Sequence, residues 1–467
     1  MADPRQPSIA PSRSIGGRAI VVALLVALIA ASAGLLDRTI GPKARAAATA
    51  ESSGSGAWFC PHGGSAGLEG WVILANTGAK GVRVRLTTFD AAGARTQPLF
   101  TVPPATEVYR SVSAEDPAAT TEVEYFGGWV GASALVASDS SNEIAAERCV
   151  ASAHRNWFLP DASAAAGETA TLVVMNPYAE VAEFDVALLT EQRTVRPGSL
   201  SPYVVPANTS VGLRLTDFLL QGQGETTLAV EVTVRIGRVI PGALISSSRT
   251  LRAEAGTPSV ASRWVIPVGG SSGSSDLVVV NPGDSSADLS VIAQGTSSQR
   301  VASGPNGLSV PGRAVHTFSI SGFANAGMLI ESTNRRPVVV ALRTSGLGSD
   351  QATVTGTPTA LPRWLVLPTA PPTGGRTLLL LENPGRTGVR VSVALLGPDG
   401  PLAARGLGSI SVPAGRTVQL VLPSVGTTSP AAIVLATGGG VVAGSASLSG
   451  GGSGFAATLG LPLDARS

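Results

Sequence analysis

Residues 171–178 read TLVVMNPY, four apolar side chains running into Asn176 and a proline. The same phrase returns as WVILANTG at residues 71–78, DLVVVNPG at 276–283 and LLLLENPG at 378–385. Each run is followed by an alternating stretch, cleanest in VRVRLTTF from Val82 and VRVSVALL from Val389, and then by a Val-Pro pair ending at Pro103, Pro206, Pro311 or Pro413. From Asn to that proline is 27 residues in the first case and 30 in the other three. Period-two alternation of Val, Leu, Ile and Thr makes one face of a strand apolar, and Asn-Pro and Pro-Ala/Gly pairs end strands. GPDG at residues 397–400 and PNG at 305–307 are turn chemistry between such runs.

An aromatic signal marks where each copy begins. Trp58, Trp157, Trp264 and Trp364 each lead into a proline, in WFCP, WFLP, WVIP and WLVLP, at separations of 99, 107 and 100 residues. The expected fold class is therefore all-β: four tandem immunoglobulin-like β-sandwich repeats of about 100 residues, at 58–156, 157–263, 264–363 and 364–467. A propeller needs about 40–50 residues per blade, and halving a unit gives no matching halves. Each repeat is expected to own its strands and to meet its neighbours through small contacts.

The chain of 467 residues is 44% hydrophobic and 14% charged, enough to bury a sizeable core. Net charge is +2, Lys43 and Lys80 are the only lysines, and no basic run is interleaved with aromatics, which argues against nucleic acid as a partner. Residues 19–36, AIVVALLVALIAASAGLL, carry no charge and follow Arg5, Arg13 and Arg18. Eighteen such residues span roughly 27 Å as a helix, so one transmembrane anchor is expected, with 1–18 cytoplasmic, 37–57 a flexible Ser/Gly/Ala tether and the repeats extracytoplasmic. A cleaved signal peptide is the rival reading, because ARAAATA at residues 44–50 offers A-x-A sites.

The aromatic opening, the apolar run into NP, the VPA pair and the close NEIAAERCV at residues 142–150 resemble an uncharacterised family of domains of unknown function. Its repeats occur in secreted and membrane-anchored proteins of Actinobacteria and related bacteria. The resemblance covers nearly everything from Trp58 onward and implies a module without implying a reaction. Thr77 replaces the usual proline, and the AER close becomes VALR at residues 340–343 and VAGS at 442–445, leaving Glu147 and Arg148 as the intact copy.

Cys60 and Cys149 stand at the start and end of the first repeat, and a disulfide between them is the expected pairing outside the cytoplasmic membrane. A zinc site with His62 and His154 is the alternative, but the tight C-x₂₋₄-C and H-x₃₋₅-H spacings are absent. There is no G-x-S-x-G elbow, GGSSGSS at residues 269–275 lacks the lysine of a phosphate loop, and His316 sits in an alternating strand. No cofactor is expected. EVEYFGGWVG at residues 122–131 gathers Tyr125, Phe126 and Trp129, aromatics that either fill the core or stack on sugar rings.

Two function classes follow. The first is a non-enzymatic, membrane-tethered scaffold or binding protein of the bacterial cell envelope, meeting an envelope protein or wall glycan through Tyr125, Trp129, Glu147 and Arg148. The second is an envelope hydrolase or glycan-modifying enzyme with its site in the first repeat, where Glu122, Glu124 and two histidines lie. Convergent carboxylates or a His-Ser pair in a cleft would favour the second.

Overall fold

Each apolar run that ends in Asn becomes an inner strand of a four-stranded antiparallel sheet: Leu68–Asn76, Thr169–Asn176, Ser274–Asn281 and Arg376–Asn383. The computed structural model describes residues 54–463 except 164, 219–225, 271–273, 305–306, 450 and 452. Within them the fold is all-β, with eight antiparallel sheets arranged along the chain as four pairs. The first pair is built from β1 (Gly56–Cys60), β2 (Leu68–Asn76), β3 (Val82–Asp90), β4 (Gly93–Thr96), β5 (Phe100–Val102), β6 (Thr106–Val112), β7 (Thr120–Phe126), β8 (Gly131–Ser138) and β9 (Ile144–Arg148). One sheet runs β1-β7-β3-β4 with β5 also on β3, and the other runs β6-β2-β8-β9. The same two orders recur in the three later pairs, and in the last Leu461–Pro462 adds a strand beside Arg363–Val366.

The repeated Asn and Val-Pro landmarks turn out to be hydrogen-bond partners. Asn76 Nδ2 donates to the carbonyls of Lys80, Val102 and Pro103 at 2.8, 3.2 and 2.9 Å, and its Oδ1 accepts the Gly78 amide at 2.9 Å. Asn176 donates to Glu180, Val205 and Pro206. Asn281 donates to Ser285 and Val310, and Asn383 to Thr387 and Val412. All four side chains are fully buried. One amide thus closes the turn after the apolar strand and ties it to the Val-Pro strand, which explains the fixed spacing. The residue after Asn contributes no bond, so Thr77 serves as well as proline. Three of the opening tryptophans play a similar part: Trp58, Trp264 and Trp364 donate their indole N–H to the carbonyls of Val130, Val338 and Val441 at 2.7, 2.9 and 2.8 Å.

The strands that end the second sheet of each pair meet one another. β9 lies against Leu251–Ala255 and Gly454–Leu459, and Gln351–Thr355 completes the circuit between those two, so four strands from four successive segments enclose an axis. At one end of this axis the Asp350 side chain, 1% exposed, accepts four backbone N–H groups. Oδ2 takes Ile144 at 3.0 Å and Phe455 at 2.9 Å, while Oδ1 takes Leu251 at 2.9 Å and Gln351 at 3.0 Å. These are the amides at or next to the start of the four axial strands, and without an acceptor each would be a buried orphan donor.

Three expectations need correction or placement. The residue range 19–36 expected to form a membrane anchor lies outside the described residues, and among the described residues no helix is long and apolar enough to cross a membrane. In the immunoglobulin order the first strand pairs with the second, whereas here β1 joins β7 and β8 takes the place beside β2, which leaves β9 at the sheet edge that faces the axis. Buried clusters also cross the expected boundaries. Leu365, Leu367, Leu396, Leu461 and Leu463 pack into the same core as Val72, Leu74, Val84 and Leu135. Gly131 shows how close this approach is, since a Cβ there would sit 2.3 Å from Leu365 Cδ2. The first and last segments therefore share a core instead of touching lightly.

Candidate functional site

β1 carries Trp58 and β7 carries Tyr125, and the turn after β7 carries Trp129; their rings collect at a cavity of about 640 Å³. Trp129 meets Trp58 edge to face, with centroids 6.2 Å apart at 74°. Tyr125 is half-buried over Gly56, where a Cβ would lie 2.4 Å from the phenol oxygen, so a larger residue there would displace the ring. Distant segments complete the wall: Trp157, Pro258 and Leu461, contributed respectively by the second pair, the chain leading to the third, and the fourth. The site exists because the chain closes on itself. The volume falls within the range of small-ligand sites.

The Cys60–Cys149 disulfide forms as expected, with Cα atoms 4.4 Å apart across a sequence separation of 89, and Cys149 belongs to the cavity wall. It joins the end of β1 to the segment just after β9, where Phe59 and Val150 also exchange N–H···O bonds of 2.8 Å. On the chain-entropy model a loop of this size contributes about 4–5 kcal/mol. With both cysteines so engaged, His62 acts as a buried hydrogen-bonding group. Its Nδ1–H donates to the Gly63 carbonyl at 2.8 Å, and Nε2 faces Thr121 Oγ1 at 3.2 Å. Burial pushes this imidazole down to about 4.

Of the four residues expected to bind a partner, the structure brings Tyr125, Trp129 and Arg148 to one cavity. Arg148 is half-buried, burial lowers its pKa, and among the described residues no carboxylate pairs with its guanidinium. Glu147, next in the strand, is not on that cavity's lining and borders a small axial void of about 30 Å³ with Arg148, Glu254, Thr355 and Thr458. Its two oxygens have no partner among the described residues, and burial followed by the charge of Glu254 raises it to about 8. Glu254 accepts Asp161 N at 3.1 Å and Thr355 Oγ1 at 3.0 Å, and burial, then Asp161, raises it to about 8 as well. Glu147 is thus no intact copy of a lost motif. The register Ala134↔Glu147 and Ala243↔Glu254 makes Glu254 its counterpart, while residues 340–343 and 442–445 belong to the strand before the axial one.

These carboxyls set a pH dependence. Folded values near 8 lie above the unfolded glutamate value of 4.5, so the folded state holds the extra protons between those limits. Asp350, which burial lifts to about 7 against the pull of its four amides, and Glu107 and Glu382, both raised by burial, act in the same direction. His62 opposes them only below pH 6.5, as a single group. Stability measured by urea unfolding is expected to fall as pH rises from about 5 to 8. A rise across that window would mean that these groups are ionised in the folded protein.

Sequence reasoning missed His154 as a cavity residue. Its Nε2 lies 3.0 Å from Ser152 Oγ and its ring sits edge-on to Trp157 at 5.2 Å, all three residues lining the cavity. Trp157 departs from the other opening tryptophans because its buried indole N–H meets no acceptor among the described residues. The carboxylates of the enzyme reading go elsewhere: Glu124 pairs with Arg85 at 2.6 Å, and Glu122, raised to about 7 by burial and then Glu124, is outside the cavity lining. The model of DUF5719, described as a family of unknown function, matches residues 124–363 and 351–459. No curated protein matches the chain.

Proposed function

We propose, for a chain that belongs to the DUF5719 family of unknown function, that it is a membrane-tethered binding protein of the bacterial cell envelope. Its four sandwich repeats close around an axis, and the ligand, a wall glycan, enters the aromatic cavity between the first, second and fourth. The observation that carries this reading is the cavity itself: the half-buried rings of Tyr125 and Trp129 line it and serve for stacking on sugar, with buried Trp58 edge to face against Trp129, within a volume suited to a small ligand. The uncharged stretch at residues 19–36 and the disulfide support an anchored, extracytoplasmic placement.

Titration of the full-length protein in detergent with solubilised wall-glycan fragments, followed by tryptophan emission, tests it. A saturable change is expected, weakened by about 2 kcal/mol, roughly thirtyfold, in Trp129→Ala. Unchanged emission with every fragment, in protein whose unfolding transition is intact, would remove the assignment.

The Ser152–His154 pair supports a second reading, a hydrolase. A serine nucleophile needs its histidine oriented by a third group, and among the described residues no carboxylate bonds His154 Nδ1. A fluorophosphonate probe is expected to leave Ser152 unlabelled; labelling abolished by Ser152→Ala would establish the enzyme instead.

A further inference from the structure

Among the described groups that line the cavity there is one permanent cation and no Asp or Glu. Arg148, at the end of β9, lines the cavity together with Trp58, Tyr125, Trp129, Trp157, Ser152 and His154 among others. Two other buried guanidinium groups have carboxylate partners: Arg252, wholly buried, bonds Glu168 at 3.0 Å and lies 3.7 Å from Asp161, and Arg343 bonds Asp161 and Asp276, each at 3.0 Å. Arg148 has no such partner among the described residues, and removal from water costs it free energy that a counter-ion would recover. Its neighbour Glu147 does not supply that charge, since neither of its carboxyl oxygens has a partner among the described residues.

We infer that the ligand is an acidic sugar, whose ring stacks on the aromatic wall and whose carboxylate pairs with Arg148. The inference rests on the binding reading above and specifies the class of glycan. A planar guanidinium fork matches a carboxylate in two parallel N–H···O bonds. With Arg148 the sole permanent charge on the described wall, a neutral sugar would leave it desolvated and unpaired, so discrimination between acidic and neutral sugars should be large. Two half-buried aromatic rings, Tyr125 and Trp129, beside a ligand-sized space favour a compact ring over an extended acidic peptide.

Digalacturonate and its neutral counterpart galabiose differ only in bearing carboxylates or hydroxymethyl groups, and tryptophan emission of the full-length protein reads binding of either. Digalacturonate is expected to bind at least tenfold more tightly than galabiose, with the preference shrinking as salt rises. Arg148→Gln should erase the preference, by weakening digalacturonate and relieving the desolvation cost that galabiose meets, and Arg148→Lys should restore part of it. Equal affinity of wild type for the two sugars would overturn the inference and leave the glycan-binding reading standing. Binding of neither would overturn both for this class of sugar. An equal response to acetate alone would show that the anion is recognised without the ring, and a response only to an acidic peptide would transfer the site to a peptide ligand; either result overturns the acidic-sugar assignment.

Discussion

Asp350→Ala is expected to destabilise the protein by at least about 4 kcal/mol in urea unfolding. The one carboxylate accepts the amides of Ile144, Leu251, Gln351 and Phe455, and three of these come from other segments of the ring. Deleting it strands buried donors at about 1–3 kcal/mol each, with less than full additivity because the axial strands can relax together. Asp350→Asn should be nearly as damaging. An amide offers one oxygen acceptor and turns two hydrogens toward N–H groups that need acceptors. Alanine at Asp399, an exposed turn residue, provides the comparison and should cost less than about 0.5 kcal/mol. An Asp350→Ala protein as stable as wild type would mean that water replaces the carboxylate without loss.

Strands and their punctuation were legible in the sequence because their causes are local. Period-two alternation places one face inward, and the Asn and Val-Pro landmarks recur because each pair is one hydrogen-bonded unit. The disulfide was legible too, two cysteines admitting one pairing. Ring closure was not. Asp350 stands in the Gly- and Ser-rich GLGSD at residues 346–350, which reads as an ordinary turn, and nothing local shows that its acceptors are needed by residues about 100 and 200 positions away. The site was half legible for the same reason. Tyr125, Trp129 and Arg148 come from one repeat and could be grouped by proximity along the chain, whereas Trp157, Pro258 and Leu461 enter only when the fourth segment returns to the first. The equivalence of the axial strands was hidden because only Glu147 and Glu254 keep a common residue, with Val354 and Thr458 at the matching positions.

A chain ending after Pro358 tests the closed architecture most directly. Such a chain lacks Phe455 and its amide to Asp350, Leu461 at the cavity and the five leucines that the last segment gives to the first core. At about 1.5–3 kcal/mol for each buried leucine the loss is on the order of 10 kcal/mol, as large as the whole stability of many domains. Closure therefore requires that the truncated protein lose its cooperative urea transition or unfold at far lower denaturant, and that tryptophan emission no longer respond to ligand. A truncated chain that keeps a cooperative transition at the wild-type midpoint, with its first segment intact, would contradict it and restore a string of independent modules.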